Sequence, residues 1–392
     1  MKKLTIITLL LLAAVSHLLA QSSMDEVLVE VEKNNTTLST LQKRMEAEKV
    51  GNKTTFNLEN PAIEFNYLWG NPSAIGNRTD FSISQSIDFP SAYVYKKQIS
   101  ELKNDQLLFE FEKQKREVLL QTQLICTDLI HSNTLIEELR KRVEQAKKIA
   151  IAYQSQLKAG ECNQLEFNKV QMHLHNVENE MELLKMKQEN SLAELALLNG
   201  GITINFNLST YSTKTVPADF EVWYQLAEQQ NPLLQWLKQE LAINEKQVQL
   251  SKALKLPKLQ AGYMSEKVVG EQFQGIAFGV TVPLWENKNR VKYAQLNSMA
   301  IESTQNDQQI QFYGKLKLLH SRANALQENL TSYRESFNSY NNTHLLQIAF
   351  EKGEISLIEY LFESSLNYEN INRIFELELE LNKVLAELNQ YL

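Results

Sequence analysis

Thr79-Asp80-Phe81-Ser82-Ile83-Ser84-Gln85-Ser86-Ile87-Asp88-Phe89 decides the fold. Phe81, Ile83, Gln85, Ile87 and Phe89 fall on one side of an extended chain. Ser82, Ser84, Ser86 and Asp88 fall on the other. That period of two predicts a strand over 79–89. A second such run lies about two hundred residues on. From Gly275 to Trp285, Ile276, Phe278, Val280, Val282 and Leu284 alternate with Gly275, Ala277, Gly279, Thr281 and Pro283. Each run has a partner upstream. Residues 61–69 carry Ile63, Phe65, Tyr67 and Trp69 on one side, and 257–264 form the matching segment. Polar stretches of similar length, 70–78 and 265–274, separate the partners, so two hairpins are expected.

Nearly everything else is periodic at 3.6 residues. The chain has 392 residues, with only 12 Gly and 7 Pro. So few breakers exclude a sandwich, a propeller or an α/β fold, which need punctuation every 8–12 residues or so. First helices are expected over 24–57 and 218–255, each ending before a proline, Pro61 or Pro257. A helix from Ser91 to about Lys158 would run roughly 100 Å. Within it Leu139, Val143, Ala146, Ala150, Tyr153 and Leu157 form a heptad seam. The second half repeats the rhythm from Leu316 through Leu319, Ala323, Leu326, Leu330, Tyr333, Phe337 and Tyr340 to His344.

These likenesses amount to an internal duplication. Leu192-Ala193-Glu194-Leu195 recurs as Leu385-Ala386-Glu387-Leu388 at an offset of 193. Gly160-Glu161 matches Gly353-Glu354, and Glu166 matches Glu359, at the same offset. Pro61, Ile63 and Tyr67 match Pro257, Leu259 and Tyr263 at 196. Phe81, Ile83 and Ile87 match Phe278, Val280 and Leu284 at 197. The order within each repeat is helix, strand, loop, strand, very long helix, turn, long helix. The first repeat spans 21–199 and the second 218–392. Residues 200–217 form a Gly/Ser/Thr/Asn-rich connection, since neither half could bury its seam alone.

Residues 1–20 read as a secretory signal peptide: Lys2-Lys3, an apolar run from Leu4 to Val15, and Leu18-Leu19-Ala20 before Gln21. No later window approaches the ~18 apolar residues of a membrane helix. Strands of about 9–11 residues are nevertheless long enough to cross a bilayer when tilted. On that reading the lipid would meet Phe81, Ile83, Ile87, Phe278, Val280 and Val282, with the Ser/Gly/Thr faces lining a wet lumen. Four strands cannot close a barrel, and an open edge is forbidden in lipid. Several chains must therefore pool them.

The net charge of −7, without a dense basic patch, argues against nucleic-acid binding. His131, His320 and His344 have no serine or carboxylate constellation in sequence, so no enzyme is expected. His173 and His175 point about 200° apart on a helix and cannot share an ion. No metal site or cofactor is assigned, and Cys126 and Cys162 are expected as free thiols.

The signal peptide, the duplicated unit and Asn231-Pro232 resemble the TolC-like outer-membrane efflux proteins. So do Phe81–Pro90, Phe278–Trp285 and the Gly-x5-acid turns Gly160…Glu166 and Gly353…Glu359. The first repeat departs from the pattern with Asn35-Thr36. The segment 60–100 looks most like the heavy-metal (cobalt-zinc-cadmium) branch. This resemblance implies a mainly α protein with a small membrane β portion. It implies a homotrimer, with a shared twelve-stranded barrel continuous with a twelve-helix tunnel, in the outer membrane and periplasm of a Gram-negative bacterium. It further implies docking to a periplasmic adaptor and to a proton-driven inner-membrane pump of the resistance-nodulation-division (RND) type. The chain would then be a passive duct for heavy-metal cations or, alternatively, for drugs. Gly160 and Gly353 would mark the periplasmic tips, with Glu166 and above all Glu359 at the aperture. A secreted coiled coil without a pore is the competing class; it accounts for the heptads but not for the paired hairpins.

Overall fold

The computed structural model describes residues 23–212 and 215–392; the expected signal peptide lies outside the described residues. The chain is mostly helical with one small sheet.

The first helix of each repeat is broken, where a continuous one was expected. Helix α1 covers Met24–Asn34 and α2 covers Thr36–Thr54. In the second repeat α5 covers Phe220–Gln230 and α6 covers Pro232–Ala253. The break falls on an asparagine each time. Asn231 Oδ1 accepts from the amides of Leu233 and Leu234. Asn35 Oδ1 accepts from the amide of Leu38 at 2.9 Å, and its Nδ2 donates to the Leu198 carbonyl at 2.8 Å. Both asparagines are buried. A capping side chain that takes the free amides of a new helix stabilises a restart there. The cap therefore survives the exchange of proline for Thr36.

Strands β1 (Ala62–Leu68), β2 (Arg78–Ile87), β3 (Lys258–Val268) and β4 (Glu271–Thr281) follow in one sheet, in the order β1-β2-β3-β4, every pair antiparallel. The two expected hairpins are thus stitched together through β2 and β3. The second hairpin is tighter than expected. Residues 265–268 and 271–274 are strand, leaving Val269-Gly270 as the turn, with Gly270 at φ +78°. Val282 lies past the end of β4. Its neighbour Thr281 pairs with Lys258, the first residue of β3, and Pro283 has no amide to offer a ladder.

Helix α3 runs unbroken over Pro90–Ala159 and α4 over Gln164–Leu198. Their counterparts are α7 (Arg290–Tyr340), α8 (Thr343–Glu351) and α9 (Leu357–Asn389). The seam expected from Leu316 to His344 is therefore interrupted after Tyr340. Asn341 Oδ1 accepts from the Thr343 amide and hydroxyl, a local alternative to the helical ladder.

The chain divides into two compact units that cut across the repeats. The sheet unit comprises 40–113 and 228–312. In it Ala92 and Ile99 of α3 pack against Ile243, Leu250 and Ala253 of α6. A polar pair is also duplicated: Asn52 bonds Asn104 at 2.9 Å, and Asn244 bonds Asn297. The helical unit comprises, of the described residues, 23–39, 114–212, 215–227 and 313–392. Its core joins Val27 and Val31 to Cys126, Leu129, Ile130 and Leu195. Ile204 and Phe206 of the connecting segment belong to that core, with Leu208 and Tyr211 packed against it, so 204–211 is pinned to the helical unit.

Candidate functional site

Two places carry chemistry that the fold itself does not consume: one face of the sheet and the tips of the helix hairpins. On the sheet, register sorts the side chains. Ile63, Ile83, Tyr263 and Ile276 stand directly across four strands. Ile87, Leu259 and Val280 form a parallel row, and Phe65 stands beside Phe81. The reverse face carries Ser84, Gly262 and Ala277 in one row, and Ser86, Gln260 and Gly279 in another. Among the described residues nothing covers the apolar face: Phe278 is 82% exposed and Ile276 75%. Phe81 and Ile87, on an inner strand, are half-buried by their neighbours, and Val282 is exposed beyond the strand. Leaving such side chains in water forfeits about 1.5–3 kcal/mol each relative to burial. This face is built for an apolar surrounding.

The sheet ends are marked too. Trp69 follows β1 at one end, in edge contact with Tyr67, and Trp285 follows β4 at the other; both are about 80% exposed. Tryptophans at opposite ends of an apolar band suit the two interfaces of a bilayer. The signal was present in the sequence, but only the strand limits separate these residues from the band. At the Trp285 end, Asp88 binds Lys96 at 2.8 Å and its amide donates to the Tyr93 hydroxyl, fastening β2 to the start of α3. Strands β1 and β4 each have one neighbour, so each keeps an open edge.

At the tips the two repeats use one device twice. Gly160 has φ +76° and Gly353 φ +73°, the left-handed region that glycine adopts without strain. The next amide reaches back to close the helix: Glu161 to the Gln156 carbonyl at 2.9 Å, Glu354 to that of Ala349 at 2.8 Å. Three residues beyond each glycine stands an N-cap, Asn163 or Ser356, and three further on a glutamate. Asn163 Oδ1 accepts from the Glu166 amide, while Glu166 Oε2 accepts from that of Asn163. Ser356 Oγ accepts from the Glu359 amide at 3.2 Å, while Glu359 Oε2 accepts from that of Ser356 at 2.8 Å. These are capping boxes. The Gly-x5-Glu spacing is the arithmetic of stopping one helix and starting the next. The bonds from the Ser356 amide and hydroxyl hold the Glu359 carboxyl below its ordinary range.

The tips meet within the helical unit. Ala150 and Val170 of the first hairpin pack with Leu357 of the second. Tyr360 stacks on Phe350 with centroids 4.3 Å apart and accepts a hydrogen bond from Gln145. Nearby, buried Arg142 bonds Glu138 on α3, donates to Asn372 Oδ1 on α9 at 3.0 Å, and lies over the Tyr368 ring. Tyr368 in turn donates to Gln145. This chain of polar contacts between α3 and α9 has no local sequence signature, because its members lie over two hundred residues apart. A cavity of about 720 Å³ opens beside it, lined by Gln145, Tyr153, Glu166, Phe350 and Tyr360 among others.

Among the described residues no cluster of three or more His, Cys, Asp or Glu could hold a metal ion, and His173 is half-buried on α4. Cys126 is buried and Cys162 partly so; both are free. Burial pushes the Cys126 thiol up to about 12. No described helix is long and apolar enough to cross a membrane.

No family model and no curated protein matches the chain. Solved structures do. The CmeC outer-membrane channel of Campylobacter jejuni superposes with a TM-score of 0.75 at 15% identity, over 94% of this chain and 85% of that one. CusC, described for its folding and transmembrane channel formation, gives 0.79 at 10% identity over 95% and 92%. The outer-membrane protein VceC of Vibrio cholerae gives 0.75 at 10% identity over 94% and 95%. The chain shares its fold with these outer-membrane channel proteins.

Proposed function

We propose that the chain is the outer-membrane exit duct of a tripartite efflux system and has no enzymatic activity. The observation that carries this reading is the four-stranded sheet, apolar and uncovered on one face, small and polar on the other, open at both edges. In lipid each open edge must find a partner strand. Three copies pooling their strands make a twelve-stranded barrel with the Ser/Gly/Ala face turned to water. The fold shared with outer-membrane channels supports the same location. A periplasmic adaptor and a proton-driven inner-membrane pump of the RND type complete the assembly. Heavy-metal cations are the cargo suggested by the resemblance of residues 60–100. The tips carrying Gly160, Glu166, Gly353 and Glu359 form the periplasmic aperture. The Arg142–Gln145 contacts to α9 are what any separation of the two hairpins has to break.

The decisive experiment compares the two sheet faces. Val280→Arg places a charge on the apolar face and is expected to block membrane assembly, since such a charge costs about 2–4 kcal/mol at the midplane and less toward the interfaces. Thr281→Arg, on the other face, is expected to insert normally. Equal yields of membrane-inserted oligomer from both variants would rule out the barrel. For cargo, a deletion strain challenged with copper, zinc, cobalt, cadmium, dyes and detergents should become sensitive to the metals. Sensitivity to the organic compounds alone would replace metal export with drug export.

A further inference from the structure

The charges of the sheet are sorted by face. Among the described residues the strand carboxylates, Glu64, Asp80, Glu266 and Glu271, all fall on the small, polar side. Arg78 and Lys258 stand there with them, and both are engaged. Arg78 binds Asp80 at 2.7 Å and Glu266 at 3.2 Å, while Lys258 lies 3.6 Å from Glu286. On the apolar side the described strands carry a single charge, Lys267. It shares a row with Tyr67, Thr79 and Gln272. It is exposed and, among the described residues, has no hydrogen bond or ion pair. The adjoining row sets Ser265 beside Gln274. Gln272 donates to Ser265 Oγ at 3.1 Å, and the Tyr263 hydroxyl donates to Gln274 Oε1 at 2.9 Å. The outer side of the β3–β4 hairpin thus turns polar where β1 stays aromatic through Tyr67 and Trp69. From Leu259 to Lys267 is about 27 Å along the strand, against an apolar band about 25 Å tall in membrane barrels.

We infer that the outer side of the β3–β4 hairpin binds the headgroup of an anionic lipid, with the Lys267 ammonium donating to its phosphate. The inference rests on the barrel proposed above. The helices leave the sheet at its opposite end, so Lys267 belongs to the outer leaflet, beside the interfacial aromatics Tyr67 and Trp69. The sorting of charge identifies the occupant. A face turned to water accommodates both signs, whereas an anionic headgroup layer repels carboxylates and attracts a lysine. The lysine stem lies along apolar surface while its ammonium reaches the headgroups. The Gln272 and Gln274 amides beside it offer hydrogen bonds to the lipid's glycerol or sugar oxygens.

Quenching of Trp69 by brominated lipid tests it. The full chain carrying Trp285→Phe is reconstituted in phosphatidylcholine vesicles containing dibrominated phosphatidic acid or dibrominated phosphatidylcholine. Phosphatidic acid is expected to be preferred, and Lys267→Gln to lower that preference about fivefold. Glu266→Gln, on the reverse face at the neighbouring position, should not lower it. No preference in the inserted parent protein, or an equal loss in both variants, would overturn the site. Displacement of the lipid by inorganic phosphate would also overturn it, by making phosphate alone the ligand. Insertion is scored separately, as oligomer that resists detergent until heated, and Lys267→Gln should form it in full. Failure of the unsubstituted chain to insert would instead defeat the barrel, and this inference with it. Native mass spectrometry of the unsubstituted oligomer gives a second reading. Phosphatidic acid should be retained there and lost from Lys267→Gln, and equal retention would sink the idea.

Discussion

The two hairpin tips share their turn and differ in the helix that leads to it. In the first repeat α3 arrives as 70 unbroken residues, and its seam stays buried from Leu139 through Val143 and Ala146 to Ala150. In the second, α7 is buried at Leu316, Ala323 and Leu330, half-buried at Tyr333 and Phe337, and at Tyr340 is 79% exposed. The helix stops at that residue. The glycine, the cap and the glutamate are nevertheless the same in both. A duplicated turn can thus be kept intact by local hydrogen bonds while the packing on its approach diverges. Turn chemistry is set by about seven neighbouring residues; seam burial depends on which helices lie opposite.

The largest expected effect separates the two approaches. Leu139→Ala empties a fully buried seam position and should cost about 2–5 kcal/mol. Tyr340→Ala, on the exposed end of the other seam, should change stability by less than about 0.5 kcal/mol. Denaturant unfolding followed by far-UV circular dichroism measures both, and comparable losses would erase the contrast.

Next come the glycines, where the tips should behave alike. Each Cβ would meet open space, so Gly160→Ala and Gly353→Ala pay only for the left-handed backbone, about 1–2 kcal/mol apiece. A loss at one tip alone would show that the shared turn is not carrying equal strain in the two repeats.

The smallest effect concerns the caps. Asn163→Ala and Ser356→Ala should each cost about 1 kcal/mol. Glu359 adds a pH dependence. Its folded carboxyl titrates below the unfolded value, so its contribution to the helix end is present above the unfolded pKa. That contribution is lost as pH falls through the folded one. Amide exchange in the first turn of α9 should therefore quicken on acidification below the ordinary glutamate range. Glu359→Gln should flatten that response; an unchanged pH profile would mean the carboxylate does not serve the cap. If Glu359 also lines the aperture, the same variant should lose cation selectivity in reconstituted channels. The two readouts separate a structural from a conducting role.

Much of this molecule was legible because its signals are local or repeated. Period-two alternation placed four strands within a few residues of those observed, and register puts Phe278 and Val280 on the uncovered face. The duplication, the long helix after β2 and the turn glycines followed from spacing alone. The capping boxes are spelled out as Asn163-x-x-Glu166 and Ser356-x-x-Glu359, in the same acids that the resemblance places at the aperture. Breaks at Asn35, Asn231 and Asn341 were missed because an asparagine in a helical pattern becomes a cap only when its side chain finds free amides.

By itself, then, the sequence determined the element types, their order and their duplication, since these rest on periodicity, capping and backbone stereochemistry between near neighbours. Only the tertiary structure decided that β2 pairs with β3 and that Ile204 and Phe206 of the connecting segment enter the core. It alone showed Arg142 and Gln145 reaching α9, and α8 left with its apolar side open. Each of these joins groups far apart in the chain. Their contacts depend on which surfaces fold together, and no residue's own propensity records that.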